Sequence, residues 1–307
     1  MKIKHSVLVI SYNQEELIRE CLDSIIGQSS APYEIIIADD CSKDNTFEIL
    51  LEYAAMYPDL VKPYQNEINL GIFGNINALY KKPSGDMIHL VAGDDMIHVD
   101  MLAKQTEFIL ANGLNCEDRF MIITNSLKLK GSILTEHDNY RYRDQKFIKS
   151  DIRTQIHFWD NGYSKGLLNA MPEFRSDLGN HADTLQHVGR NSLCDQVFFI
   201  NEPGYIYREN AGVTVKSDMA KQVTSYKKIL EIVLEDYGSF FDNEDINYIR
   251  MLIKYQGYFL NPSISNYFKF IRSRFKVSHL PHQSPYRGIK VLVPISIKRN
   301  IKRLFKT

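Results

Sequence analysis

Cysteine is scarce in this chain of 307 residues. The four present, Cys21, Cys41, Cys116 and Cys194, show no Cys-x-x-Cys or other metal-ligand spacing. This excludes a zinc ribbon and a disulfide-framed scaffold. Cys21 falls on the apolar face of a helical repeat and reads as a buried thiol. Reduced thiols without a secretory signal lead to the expectation of a cytoplasmic protein. No run of 18 apolar residues occurs, so no membrane-spanning helix is expected. Internal repeats and low-complexity segments are also missing. No Gly-x-Gly-x-x-Gly follows the first strand, which argues against a dinucleotide-binding dehydrogenase. Ser11-Tyr12-Asn13-Gln14 holds no glycine-rich phosphate loop, which argues against a nucleotidyltransferase. Finally, acids are missing from the end. None of the 37 follows Asp245, whereas 13 of the 37 lysines and arginines do.

The apolar fraction of 44% is enough for a substantial core. Its most informative stretch is Met87-Ile88-His89-Leu90-Val91-Ala92-Gly93-Asp94-Asp95. The apolar run predicts a buried central strand. Gly93 is expected to permit a tight turn where the chain leaves the sheet. Adjacent carboxylates at a strand's carboxyl end repel each other, and a divalent cation or a cation with a sugar hydroxyl relieves that repulsion. A solvated acidic turn or a helix cap is the bland alternative. Upstream, Ser6–Ile10 predicts a strand, and Asn13 is placed to cap a helix with Glu15 and Glu16 in its first turn. Leu17, Cys21, Leu22, Ile25 and Ile26 then recur at helical spacing. A second strand, Glu34–Ala38, runs into Asp39-Asp40 and a further helix. Alternating strands and helices predict an α/β fold with a doubly wound, mostly parallel sheet. Two acidic strand ends would then face one cleft.

Four blocks in this order resemble the family 2 glycosyltransferases with the GT-A fold. They are Val7-Leu8-Val9-Ile10-Ser11-Tyr12-Asn13; Glu34 through Asp39-Asp40-Cys41-Ser42-Lys43-Asp44-Asn45-Thr46; Asn69-Leu70-Gly71 with Asn75 and Asn77; and Gly93-Asp94-Asp95. The resemblance covers about the first 100 residues and fades after about residue 125. It implies inverting transfer of a sugar from a nucleotide-sugar donor, most often a UDP-sugar, to a saccharide or lipid-linked acceptor in bacterial surface polysaccharide synthesis. It implies a divalent cation, Mn²⁺ or Mg²⁺, held by Asp95, with Asp94 at the ribose or sharing the metal. Asp40 would accept hydrogen bonds from the base, with Asp39 supporting it, and Ser11 and Asn13 would line the nucleotide pocket. The expected organisation is a GT-A domain over 1–215, with its nucleotide half at 1–125 and its acceptor half at 126–215. A helical, basic region would follow at 216–307. A degenerate fold serving as a scaffold in a polysaccharide assembly complex is the alternative.

Further along, Phe120–Asn125 reads as a strand and Asp138–Arg143 as a loop. Gly179-Asn180-His181-Ala182-Asp183-Thr184 opens a helix. Relatives carry a catalytic base at such a helix start, and Asp183 is the match, although Ala182 stands where Glu is common. A carboxylate there can take the acceptor hydroxyl's proton, or it can simply stabilise the helix start. His181 and His187 are nearby polar candidates. Arg208, after the strand-like Val197–Ile200, is placed for a phosphate contact or for a structural ion pair. The acid-free end interleaves cations with Tyr267, Phe268, Phe270, Ile271 and Phe275, and later with Ile295, Ile297, Ile301, Leu304 and Phe305. Such a pattern predicts a peripheral contact with an anionic membrane, or a terminal helix packed on the domain with its basic face in water. No nucleic-acid-binding motif accompanies it.

Overall fold

The computed structural model describes residues 2–136, 161–209, 219–274 and 276–277. The expected loop at Asp138–Arg143 lies outside these residues, as does the chain from residue 278 onward. Two compact units are present. Among the described residues, one runs to residue 209 and the other begins at residue 219.

Among the described residues, the first unit carries a nine-stranded sheet. Its strands are β1 (His5–Ser11), β2 (Glu34–Asp39), β3 (Val61–Gln65), β4 (Met87–Ala92), β5 (Met96–Ile97), β6 (Phe120–Lys130), β7 (Ile133–Glu136), β8 (Asn161–Ser164) and β9 (Gln196–Arg208). Its helices are α1 (Ile18–Ile26), α2 (Thr46–Met56), α3 (Gly71–Tyr80), α4 (Met101–Ala111), α5 (Lys165–Ala170) and α6 (Ala182–Leu193). The strand order is β3-β2-β1-β4-β8-β6-β9-β5, with β7 paired to β6. The four strands β3, β2, β1 and β4 are parallel throughout. Antiparallel pairing enters with β8, which joins β4 to β6, and again where β5 meets β9. The alternation of strands and helices was legible, and the α/β class follows from it.

Continuous apolar runs form β1, β2 and β4 because both faces of these strands are covered. Val7, Val9, Ile35, Ile37 and Val91 share one core with Ile18, Cys21, Leu22 and Ile25 of α1. Leu17 is the residue before α1 rather than part of its buried stripe, and Glu15 and Glu16 precede the helix. Asn13 therefore does not cap it. Six residues, Tyr12 to Leu17, separate the end of β1 from the start of α1. Two segments are longer than their sequence patterns predicted. β6 continues to Lys130, and β9 is one strand from Gln196 to Arg208, where the pattern showed only Val197–Ile200. Pro203 and Gly204 fall at a register irregularity opposite Thr124–Ser126, and an irregularity of that kind hides the period of two.

One polar pair is sealed inside this sheet. The rings of His5 on β1 and His89 on β4 share a hydrogen bond, Nδ1 to Nε2, of 2.9 Å. His5 Nε2 reaches Thr106 Oγ1 of α4 at 2.7 Å. Burial drives both imidazoles neutral. It lowers His5 to about 4, opposed by the charge of Asp86, and pushes His89 well down. A depressed folded-state pKa stabilises the fold above the unfolded value and withdraws that stability as pH falls through the folded value. The melting temperature is expected to drop as pH falls from about 6.5, the free histidine value, toward about 4. His5→Gln cannot titrate and should flatten that decline in thermal melts. An equally steep decline in the variant refutes the assignment.

Candidate active site

The parallel strands reverse direction of growth between β1 and β4. α1 carries the chain from β1 to β2 on one side, and after β3 it crosses back to β4 on the other. Carboxyl ends at such a switch point leave a crevice between diverging connections. Ser11 ends β1 opposite Asp39 of β2, and Ile10 lies beside Ala92 of β4. The two acidic pairs, Asp39-Asp40 and Asp94-Asp95, thus leave the same edge of the sheet on either side of β1.

Asp39 is fully buried and its carboxylate is saturated. It accepts from Ser42 N at 3.0 Å, Gln65 Nε2 at 3.1 Å, Ser11 Oγ at 3.3 Å and the Ser42 hydroxyl. Four bonds fill an ionised carboxylate. Asp40 differs. Its Oδ1 takes both Asn66 Nδ2 at 2.9 Å and Leu70 N at 2.8 Å, so Oδ2 is the oxygen with capacity to spare. Asn66 also bonds Asn75, whose amide reaches the Ala38 carbonyl of β2 at 2.9 Å. The segment Asn69-Leu70-Gly71 is a turn held by Asn69 Oδ1 on Gly71 N, and Gly71 takes a φ of +72° to start α3. Asn13 lies on the exposed side. Its Oδ1 accepts from Lys43 N at 2.8 Å, and its own N–H donates to Ser42 Oγ at 2.9 Å. Asn13 and Cys41 are the non-glycine residues with positive φ among those described, at 51° and 61°. Two left-handed turns facing each other across the ends of β1 and β2 mark a shaped loop pair.

On the other side of β1, Gly93 has a different task from the one its position predicted. Its φ is not positive. Instead a Cβ there would strike Gln14 Oε1 and come within 2.8 Å of Ile18 Cδ1. Those two contacts are side-chain ends that can shift, and the Ile10 carbonyl would lie at 3.2 Å, so tight packing rather than backbone freedom favours glycine here. Asp95 is buried, with Oδ2 accepting from Tyr205 OH and Oδ1 from Arg208 N, each at 2.8 Å. Arg208 also straps the turn from outside. Its Nε donates to the Asp94 carbonyl at 3.0 Å, and its Nη2 pairs with Glu20 on α1 at 2.5 Å. The ion-pair reading of Arg208 is therefore what the geometry displays. Asp94 is half-buried, and burial raises its carboxyl above the usual range despite the nearby Arg208 charge. The sequence placed Tyr205 only within the Tyr205–Arg208 segment, with no hint of its grip on Asp95, and did not single out Glu20, which holds Arg208. Each lies far from Asp95 along the chain, and no local pattern flags them.

This edge of the site fits a divalent cation in chemistry. Asp94 and Asp95 supply hard oxygens, and Asp94 lacks full compensation for its burial. Gln14 Oε1, buried against Gly93, is an acceptor without a hydrogen-bond partner. No cluster of three metal-ligating side chains exists among the described residues. One or two carboxylates suffice when substrate phosphates complete the shell.

Asp183 is the second residue of α6, in the first turn, where the helix dipole favours an anion. It is half-buried, and Oδ1 accepts from Thr184 N at 2.7 Å. A 3₁₀ turn, Ser176–His181, leads into α6. His181 closes that turn, and its side chain lies outside the described residues. His187 is buried within α6. The approach to this helix is tied to α3. Phe174 stacks on Phe73 at 5.2 Å, and Asn77 bonds both the N–H and the carbonyl of Phe174. α3 is the helix whose first turn also meets Asp40.

Residues 6–167 match the family described as glycosyl transferase family 2. An uncharacterised protein of Mycobacterium tuberculosis is 42% identical over 106 residues, 34% of this chain and 31% of that protein. The poly(ribitol-phosphate) beta-glucosyltransferase of Bacillus spizizenii is 34% identical over 36% of this chain and 18% of its own length. The uncharacterised glycosyltransferase EpsJ of Bacillus subtilis is 27% identical over 67% of this chain and 61% of its own. The match thus spans about a third or less of the first two relatives. Among solved structures, TarS 1–349 of S. aureus with UDP-GlcNAc superimposes with a TM-score of 0.62 at 19% identity, covering 88% of this chain and 79% of that one. The mannosyltransferase PcManGT of Pyrobaculum calidifontis, with GDP-Man and Mn²⁺, gives 0.54 at 14%, covering 90% and 74%. These likenesses establish the GT-A fold. With its family match spanning more than half of its length and the acidic strand ends in place, the chain belongs to glycosyl transferase family 2.

Proposed function

We propose that this chain transfers a sugar, with inversion, from a nucleotide-sugar donor to a saccharide or lipid-linked acceptor in surface polysaccharide synthesis. The observation that carries the reading is the convergence of Asp39-Asp40 and Asp94-Asp95 on one switch-point crevice. The nucleotide would lie across the end of β1. Asp40 Oδ2 would accept from the base, and the saturated Asp39 would hold Asp40's turn rather than touch the ligand. Ser11 and Asn13 would border the base and ribose, with Asp94 at the ribose or the metal. Asp95 and Asp94 would hold a divalent cation, Mn²⁺ or Mg²⁺, which when bound neutralises charge on the departing diphosphate. Arg208 adds positive charge beside them, already oriented by Glu20. Asp183 would remove the acceptor hydroxyl's proton as the bond to the anomeric carbon forms. The TarS structures, which hold UDP and UDP-GlcNAc, support a uridine carrier, whereas PcManGT holds GDP-Man. No described helix is long and apolar enough to cross a membrane. A cytoplasmic enzyme working at the inner membrane face is the setting we propose.

A thermal-shift screen with UDP, GDP, CDP and dTDP, each with and without Mn²⁺, tests the donor side. UDP with Mn²⁺ should stabilise most. At a hundredfold excess over Kd the gain is about 2.7 kcal/mol. Absence of any shift with all four diphosphates refutes nucleotide recognition. A larger shift with GDP moves the donor to the guanosine class.

A further inference from the structure

Among the described residues, the second unit holds three α-helices, α7 (Met219–Tyr237), α8 (Asn243–Leu260) and α9 (Ile264–Arg274). Their charges are separated along the length of α8. The described acids, Glu231, Glu235, Asp236, Asp242, Glu244 and Asp245, lie around the α7–α8 connection. From Asp245 to the far end of α8 is about 20 Å at helical rise. At that far end, where α8 turns into α9, four large apolar side chains stand in water. Phe259 is 45% exposed, Leu260 37%, Ile264 42% and Phe268 57%. Ile264 and Phe268 are four residues apart and share the outward stripe of α9, while Tyr267 and Phe270 face inward. Exposed Lys269 and Arg272 border the stripe, and neither is ion-paired among the described residues. No acid follows anywhere in the remaining sequence.

We infer that the α8–α9 corner is a docking surface for an anionic phospholipid bilayer. Exposed aromatic and aliphatic side chains enter the boundary between headgroups and acyl chains, and flanking cations meet lipid phosphates. Apolar side chains grouped at one corner, rather than scattered singly, mark an interaction surface. Its single sign of charge disfavours a second copy of the same face, which would repel it, and matches an anionic plane. The acidic pole, held a helix length away, keeps the unit from lying the other way round.

The experiment is vesicle sedimentation of the full chain. Vesicles containing phosphatidylglycerol should bind it, and phosphatidylcholine vesicles should not. Lys269→Gln with Arg272→Gln should lower partitioning by about 25-fold, a factor of about five for each charge. Phe259→Ser with Phe268→Ser should lower it by about tenfold or more. These positions are exposed, so circular dichroism and UDP-dependent thermal shift should match wild type in both variants. The UDP readout keeps this result separate from the donor-binding proposal. Undiminished binding in both variants, or equal binding to neutral vesicles, overturns the inference. So does binding that disappears only in Lys298→Gln with Arg299→Gln, which would assign it to the tail. Capture by single-stranded RNA without vesicle binding would replace lipid with nucleic acid.

Discussion

Asparagine at Asp95 is expected to reduce sugar transfer by about two orders of magnitude or more, the scale of losing a principal electrostatic stabiliser. The carboxylate leaves the edge where the cation and the departing diphosphate would sit, and the amide brings no charge. The structure adds a consequence for folding. Asp95 accepts from Tyr205 OH and from Arg208 N. An amide has one oxygen, so it keeps the Arg208 N–H and must turn its NH₂ toward the tyrosine hydroxyl. That hydroxyl already accepts from Ala92 N at 3.3 Å. Relief of like charge next to Asp94 works in the opposite direction. The net loss of stability should therefore stay near about 1 kcal/mol, the worth of one hydrogen bond. Initial rates with and without chelator, together with thermal melts, provide the check. Full activity of the variant, or unchanged wild-type activity in excess chelator, removes Asp95 from the metal role.

Asp183→Asn should abolish transfer to the sugar acceptor and leave UDP affinity within a few-fold. An amide cannot take the hydroxyl proton. Its carbonyl oxygen does preserve the bond to Thr184 N that holds the first turn of α6. Slow hydrolysis of the donor by water should persist, because the Asp94-Asp95 edge is untouched. If Asp183 serves only the helix start, asparagine should behave almost as wild type, since it suits a helix N-terminus nearly as well. Product analysis separating transfer from hydrolysis distinguishes the two. Near-normal transfer would move the base elsewhere, and His181 would be tested next.

The approach to Asp183 shows how far local pattern reaches. The helix start was legible because Gly179-Asn180 precedes a run with helical period. That Phe174 and Asn77 anchor this segment to α3 was not legible, since 97 residues separate the two partners. The same limit hid the contacts of Tyr205 with Asp95 and of Glu20 with Arg208. In both cases local pattern picks out a candidate side chain, and a distant residue holds its surroundings in place.

The sequence by itself determined the α/β class, the parallel run of β1, β2 and β4, and the two acidic pairs at their carboxyl ends. Those features are written in contiguous apolar runs closed by charged turns, and chain direction alone puts their ends on one edge. Tertiary structure decided which acid is spent and which is available. Asp39 is consumed by four donors from three segments, whereas Asp40 keeps an oxygen free. It also decided that Gly93 is closely packed, that Asn13 leaves the helix uncapped, and that Arg208 straps the turn next to Asp95. Each of these depends on contacts between residues far apart in the chain, and strand crossover brings those residues together only when the sheet closes.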